Sequence, residues 1–219
     1  MPAVPDGYVH GSGAATEATR LALDRVTDPV AMLLVEGVSD QIAVDTLAAH
    51  RRRDLVGERV AVVPIGGAQA IARFRSEYPD VRAVALCDYP ERAWFQRVLP
   101  TPDVFVCVPD LEGELIGALG ARAVAELLAD HGDRRPLTTL QRQAAWRTRP
   151  LEEQVRRFIG AGARRKLRYA RVLVDAAVAA DRVPAALEGV LAAVSRPPRG
   201  TRRGPAPAPR RGRRSGAGT

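Results

Sequence analysis

Lysine is almost absent from this sequence. Of its 33 basic residues, Lys166 is the single lysine and the others are arginines. A Walker A loop holds phosphate with a lysine that directly follows a glycine-rich turn. No such loop precedes Lys166, which stands in GAGARRKLRY. The sequence therefore predicts no ATP site of this type.

Cysteines, histidines and long apolar runs are also few. Cys87 and Cys107, the two cysteines, each lie inside an apolar run and neither belongs to a CxxC pair, which argues against a structural zinc site and favours two buried thiols over a disulfide. The three histidines are scattered, so no Ser-His-Asp arrangement is evident. No apolar run approaches the roughly 20 residues of a membrane helix, and the first residues lack the basic start and apolar core of a signal peptide. We therefore predict a cytoplasmic protein without a membrane partner.

Three apolar runs in the sequence end in acidic residues. AMLLV precedes Glu36, VRAVALC precedes Asp88, and DVFVCVP precedes Asp110, Glu112 and Glu114. Apolar runs without polar alternation are typical of strands covered on both faces, as in a parallel α/β sheet. The loops at the carboxyl ends of such strands form the ligand crevice, and carboxylates gathered there repel one another unless a cation lies between them. The pattern therefore predicts a Mg²⁺ or Mn²⁺ site.

Strand and helix patterns alternate about four times between residues 31 and 129. The predicted strands are 31–35, 60–65, 81–87 and 104–108. Ser39 is the predicted N-cap of the first helix between them. Right-handed crossovers would give a small parallel sheet with the third strand beside the first. The predicted organisation is a lead at 1–28 with a short helix over 16–25, an α/β domain at 29–131, a helical extension at 135–195 after a boundary at 131–136, and a disordered tail at 196–219.

Charge is unevenly distributed along the chain. Residues 1–140 hold 14 arginines and 20 acidic residues, whereas residues 141–171 hold nine arginines and Lys166 against two glutamates. From residue 196 onward there are eight arginines and no acidic residue. A chain with acidic residues for a metal ion in one part and basic residues for a polyanion in another is typical of an enzyme that acts on nucleic acid. The predicted nucleic-acid contacts are Arg156, Arg157, Arg164, Arg165, Lys166 and Arg168.

Several candidates have a second interpretation. Asp40 either leans over the metal site or stabilises the helix N-terminus. Gly66 and Gly67 either offer backbone N–H groups to a phosphate or make a tight turn. Tyr169 and Trp146 are candidates for stacking on bases, although core packing is the favoured interpretation of Trp146. Capping does not account for three acids between 110 and 114, so we expect at least one ligand there, Glu112 or Glu114.

LLVEGVSD, VVPIGGAQAI, ALCDYPE and DLEGELI taken together resemble the TOPRIM domain, and within it the OLD-family nucleases. The resemblance covers about residues 30–120, and the helical stretch after it looks like the extension of OLD-like proteins. It implies a small, Rossmann-like parallel α/β fold whose acidic residues bind Mg²⁺. Full OLD proteins also place an ATPase domain before TOPRIM. Fewer than 30 residues precede the predicted α/β domain here, so the resemblance implies a nuclease module whose ATP-driven step, if any, comes from a separate ATPase partner.

The resemblance assigns roles by position. Glu36 matches the first-strand glutamate, Asp40 the acid one turn later, and Asp88 the first Asp of an Asp-x-Asp motif. Pro90 replaces the second Asp and cannot bind a metal, so a second ion would need Glu91 or the acids at 110–114. The metal set implied is Glu36, Asp40, Asp88, Glu112 and Glu114. The catalytic set implied is Glu36, Asp88 and Lys166, since Lys166 is the only candidate for the basic residue that OLD-type nucleases carry in their helical region.

The function that this combination predicts is a Mg²⁺- or Mn²⁺-dependent nuclease, an endonuclease acting on DNA. RNA remains an alternative substrate, because neither phosphate charge nor metal chemistry distinguishes the two. A non-catalytic nucleic-acid-binding or regulatory module is a second interpretation, motivated by Pro90. Nucleotidyl transfer, as in primases, is a third. A homodimer is also compatible with the sequence.

Overall fold

A four-stranded parallel sheet forms the centre of the protein, in a computed structural model that describes residues 6–9, 11 and 13–195. The strands are β1 (Ala31–Val35), β2 (Val60–Pro64), β3 (Arg82–Asp88) and β4 (Val104–Cys107), in the order β2-β1-β3-β4. The register pairs Val35 with both Pro64 and Leu86, so the carboxyl ends of these strands lie side by side. The predicted α/β fold is confirmed, including the position of β3 beside β1. The tail at 196–219 lies outside the described residues.

Ten α-helices surround the sheet within the described part of the chain. They are α1 (Ala14–Asp24), α2 (Val38–His50), α3 (Ile71–Glu77), α4 (Arg92–Gln96), α5 (Leu111–Leu119), α6 (Ala121–Leu128), α7 (Arg134–Arg142), α8 (Leu151–Gly160), α9 (Ala163–Ala179) and α10 (Ala185–Val194). Short 3₁₀ turns cover Ala68–Ala70, Tyr89–Glu91 and Thr101–Asp103, and a π turn covers Ala129–Asp133. None of these helices has the length and apolar character needed to span a membrane.

One local prediction is corrected. The N-cap of α2 is Gly37 rather than Ser39, because Asp40 accepts the Gly37 N–H at 3.0 Å and closes the helix start two residues earlier. The segment 131–136, where the sequence predicts a boundary, contains a kink at Gly132, whose backbone angles are not helical. The π turn there passes directly into α7, with Gly132 adopting a positive φ of 85° and Pro136 standing in the first turn of α7, where its missing N–H costs nothing.

The two faces of the sheet bury different sets of helices. Leu34 packs in a cluster with Phe74 of α3 and Phe95 of α4. Its neighbour Leu33 points to the opposite face, in a cluster with apolar residues of α2 and of α5 to α10. Cys87 and Cys107 are buried free thiols, as predicted.

The helical extension therefore covers one face of the sheet. Leu187 and Val190 of α10 are fully buried in the same cluster as Val84 and Leu86 of β3. Gly189 lies so close to β4 that a Cβ there would meet Phe105 Cε1 at 2.7 Å. This packing fixes the position of α8 and α9 relative to the strand ends.

Candidate metal centre

Hydrogen bonds between side-chain carboxylates and backbone N–H groups join three loops at the carboxyl edge of the sheet. Glu36 Oε1, directly after β1, accepts the backbone N–H of Asp88 at 2.9 Å. Asp88 Oδ1, at the end of β3, accepts the N–H of Leu111 at 3.1 Å, where α5 begins. The acidic residues predicted from three separate apolar runs are thereby brought to one place.

Glu91 completes a group of three carboxylates. One oxygen each of Glu36, Asp88 and Glu91 lies within 4.8 Å of the others. The 3₁₀ turn Tyr89–Glu91, with Pro90 in its first positions, follows β3 immediately and brings Glu91 back towards the strand end. Hard divalent cations prefer such carboxylate oxygens, so the donor set fits Mg²⁺ or Mn²⁺. Of the acids that the sequence analysis offered in place of Pro90, Glu91 is the one whose carboxylate lies in this group.

A second acidic pair lies beside this group and is joined to the extension. Glu112 and Asp40 are only 7% and 8% exposed. Lys166 of α9 places its Nζ 3.2 Å from Glu112 Oε1. The single lysine of the chain therefore meets a carboxylate of the α/β part.

Burial and mutual repulsion raise the pKa of three carboxyl groups. Burial raises the pKa of Glu36 to about 7, although the Asp88 N–H opposes the shift. Burial, followed by the charges of Asp40 and Glu112, raises the pKa of Asp88 to about 7. Burial and the charge of Glu112 raise the pKa of Asp40 to about 7. Such a group of acids favours a bound cation.

Lys166 responds to the same charges in the opposite direction. Burial lowers the pKa of its ammonium, but the charges of Glu112 and Asp40 together outweigh burial and raise it above the ordinary value. Lys166 therefore keeps its positive charge throughout the physiological pH range.

The other acids near α5 have structural partners. Asp110 caps α5 by accepting the Gly113 N–H at 2.7 Å and also binds the guanidinium of Arg156, whose Nε lies 2.9 Å from Asp110 Oδ2. Glu114 Oε1 accepts the Val108 N–H at 2.9 Å. Of the two ligand candidates in α5, the structure brings Glu112 to the acidic centre, whereas the Glu114 carboxylate is bonded to the loop after β4.

The phosphate site expected at Gly66 and Gly67 is not free. Both backbone N–H groups donate to the Glu36 carbonyl oxygen, each at 3.1 Å. The glycines therefore make the tight turn of the alternative interpretation, with positive φ values of 76° and 116°. Their hydrogen bonds tie the loop after β2 to the base of Glu36.

Two residues expected to contact nucleic acid are buried instead. Arg168 is in the interior, with its guanidinium against Asp133 at 3.3 Å and the His131 carbonyl. Tyr169 is fully buried and its hydroxyl donates to Asp133 at 2.6 Å. The sequence could not separate these inward-facing residues from their neighbours because the charge run covers every face of α9.

The remaining basic residues lie at the surface of α8 and α9. Arg164 is exposed, and Arg165 lies over the Phe158 ring at 3.9 Å. Arg157 lies 5.8 Å from the ring centre of Trp146. The favoured core interpretation of Trp146 is wrong, because the indole lines a pocket of about 340 Å³ together with Glu112 and Lys166.

Comparison with known proteins agrees with this architecture. Residues 30–84 match the family model described as the overcoming lysogenization defect protein-like TOPRIM domain. The structure is similar to the C-terminal region of the Burkholderia pseudomallei OLD protein, with a TM-score of 0.58 and 16% identity over 77% of this chain and 98% of that one. It is also similar to the C-terminal region of the Xanthomonas campestris pv. campestris OLD protein, with a TM-score of 0.58 and 19% identity over 78% of this chain and 96% of that one. No curated protein sequence matches the chain.

The parallel sheet carries acidic residues at its strand ends, and residues 30–84 of the chain match the TOPRIM model. Within that class, the chain resembles the OLD family, both in the segment that the family model matches and in the fold of its helical extension.

Proposed function

We propose that the chain is a metal-dependent nuclease that hydrolyses phosphodiester bonds, with DNA as its substrate. The observation that carries the proposal is the group formed by Glu36, Asp88 and Glu91, whose carboxylate oxygens lie within 4.8 Å of one another beside the Lys166–Glu112 pair. The similarity to TOPRIM domains supports a role that involves nucleic acid. We propose in addition that the reaction is hydrolysis, that a metal ion takes part and that DNA is the substrate.

The acidic residues and Lys166 have different roles in the proposed reaction. Glu36, Asp88 and Glu91 would hold one divalent ion, and Asp40 with Glu112 offers carboxylates for a second. A bound divalent ion supplies a nucleophilic water at neutral pH and stabilises the leaving oxygen. Lys166, held by Glu112 and permanently charged, neutralises negative charge that develops on the phosphoryl group.

Both parts of the chain are needed for this arrangement. The carboxylates belong to the proposed α/β domain at 29–131, and the lysine to the proposed extension at 135–195. The surface arginines of the extension, Arg157 and Arg164 among them, would contact backbone phosphates without reading sequence.

The direct test is nicking of supercoiled plasmid DNA in Mg²⁺ or Mn²⁺. We expect Glu36→Gln to lower the nicking rate by about 10²-fold or more, because it removes a charge aimed at the reaction centre. Glu126→Gln is the matched control, since Glu126 is exposed on α6. Equal, background cleavage by the wild-type and Glu36→Gln proteins would contradict the proposal.

Calorimetric titration with Mn²⁺ separates the proposal from the non-catalytic alternative. Binding by the wild-type chain that is lost in Glu36→Gln, together with an uncut plasmid, would favour a regulatory module with a metal. Binding together with Glu36-dependent nicking supports the nuclease. The titration measures Mn²⁺ binding by the carboxylates, and this measurement does not depend on DNA cleavage.

A further inference from the structure

The chain has two tryptophans, and each lines a pocket that borders the acidic centre. Trp94 of α4 lines a pocket of about 640 Å³ together with Glu36 and Glu91. Trp146, in the turn between α7 and α8, lines the pocket of about 340 Å³ that contains Glu112 and Lys166. We name these the Trp94 pocket and the Trp146 pocket.

The two pockets lie on opposite sides of the carboxylates. The Trp94 pocket is formed by the loop after β2 and by α4, which packs on the same sheet face as α3. The Trp146 pocket is formed by α5, α8 and α9, whose apolar residues pack on the other face. Glu36 and Glu91 line the first pocket, whereas Glu112 and Lys166 line the second. A chain of nucleotides joining the pockets would therefore pass the carboxylates at the strand ends.

The surface around Trp94 combines exposed aromatic rings with arginines. Trp94 and Tyr89 are 43% and 45% exposed, which is unusual for large aromatic side chains. Arg92 lies 4.4 Å from the Tyr89 ring centre, and Arg97 lies 5.4 Å from that of Trp94. Aromatic faces stack on bases while guanidinium groups meet phosphates, so this surface has the chemistry of a single-strand binding platform.

The Trp146 turn is held in place from below. Gln154 of α8 is buried, and its Nε2 donates to the carbonyl oxygens of Trp146 at 2.8 Å and Arg149 at 2.9 Å. Gln141 in turn donates to Gln154 Oε1 at 3.0 Å. These hydrogen bonds fix the turn before any ligand arrives, which lowers the entropy cost of binding at Trp146.

We propose that the protein takes its nucleic acid as an unpaired strand, with bases stacked on Trp94 on one side of the carboxylates and on Trp146 on the other. Unpaired bases are required because a duplex covers each base face with the next base pair, whereas a single strand can present its faces to aromatic side chains. The inference rests on the proposed function in taking the carboxylates as the reaction centre.

The test uses the fluorescence of the two tryptophans in the full chain. EDTA is present so that nothing is cleaved. Oligothymidylate of about ten nucleotides, a length within the range bound by single-strand binding folds, is titrated against the same sequence paired with oligodeoxyadenylate. We expect the single strand to quench the fluorescence and to bind at least about tenfold more tightly than the duplex, since each stacked base contributes about 1–3 kcal/mol. Equal affinity for the duplex would overturn the inference.

Single variants identify the stacking surfaces. Trp94→Ala and Trp146→Ala should each raise the Kd for oligothymidylate about tenfold, whereas Trp94→Phe and Trp146→Phe retain a ring and most of the affinity. Val56→Ala is the control, because Val56 is an exposed apolar residue before β2, at the opposite edge of the sheet. Wild-type affinity in both alanine variants would overturn the inference.

Two further experiments distinguish a failure of the single-strand inference from a failure of the proposed nuclease function. Oligouridylate that binds as tightly as oligothymidylate supports an unpaired strand and widens the substrate to RNA. Quenching by oligothymidylate, with neither supercoiled plasmid nor single-stranded circular DNA cut in Mg²⁺ or Mn²⁺, would contradict the nuclease and support the stacking surfaces. A nicked plasmid without quenching would do the reverse.

Discussion

At the scale of single residues, Glu91 shows how a departure from a sequence motif is repaired in space. Pro90 removes the second acid of the motif, but the 3₁₀ turn that contains it presents Glu91 to Glu36 and Asp88. We expect Glu91→Gln to weaken Mn²⁺ binding about tenfold or more, because one anionic donor is lost. Calorimetry measures this, with Glu77→Gln as the control on an exposed helix end. Unchanged affinity would remove Glu91 from the site.

Lys166 allows binding and catalysis to be separated. Lys166→Met should lower the nicking rate about 10²-fold, while Mn²⁺ affinity stays equal or rises, since a cation beside the carboxylates has been removed. Lys166→Arg keeps the charge and should recover part of the rate. If Mn²⁺ affinity falls together with the rate in Lys166→Met, the lysine holds Glu112 in place rather than serving the reaction.

The acids at the strand ends were predictable from the sequence, because the first charged residue after an apolar run marks where the strand ends. The hydrogen-bond partners of polar groups were not predictable from the sequence. Gly66 and Gly67 donate to Glu36, and Arg168 binds Asp133, through contacts that only the folded chain creates. The same dependence on the folded chain explains why Trp146, which was expected in the core, lines a pocket, whereas Tyr169, a candidate for stacking on bases, is buried.

At the scale of elements, the position of α10 on the sheet depends on one glycine. Gly189→Ala would place a Cβ 2.7 Å from the Phe105 ring and push α10 away from β4. We expect a loss of about 1–3 kcal/mol, which is a fall in Tm of roughly 2–12 °C for a chain of this size. Gly117→Ala is the matched control, because a Cβ at Gly117 in α5 meets nothing within 4 Å. Equal thermal melts would contradict this account of the packing.

The strands of the sheet could be predicted because their apolar runs have no polar alternation. Gly132 and Pro136 are residues that commonly interrupt helices, and the chain is kinked at Gly132, while the first turn of α7 accepts the proline. The packing across this kink could not be predicted, because Leu128 and Leu137 on its two sides are buried in one cluster with residues that are distant in sequence.

At the scale of the whole molecule, the acidic centre makes stability depend on pH and on metal. The pKa values of Glu36, Asp40 and Asp88 are raised to about 7 in the folded chain, against about 4 in unfolded chains. The folded state therefore binds more protons between these values, and its stability falls as pH rises from about 4 to about 7.

Differential scanning calorimetry across this range checks the sign. In EDTA we expect Tm to fall by roughly 5 °C between about pH 5 and pH 8, the effect of about 1–2 kcal/mol. Mn²⁺ should reverse most of the fall at the upper end, because a ligand that binds only the folded state stabilises it. A Tm that is independent of pH in EDTA, or unaffected by Mn²⁺ at pH 8, would contradict this description.

The burial of α10 against β3 and β4 has a consequence for how this chain can be divided. The last described helix of the sequence completes the wall of the α/β part, so a chain shortened after residue 135 would present Val84 and Leu86 to water. Such a fragment would aggregate before its chemistry could be assayed. The last described helix is therefore part of the interior of the module, and the chain cannot be divided at the start of the helical extension without exposing that interior.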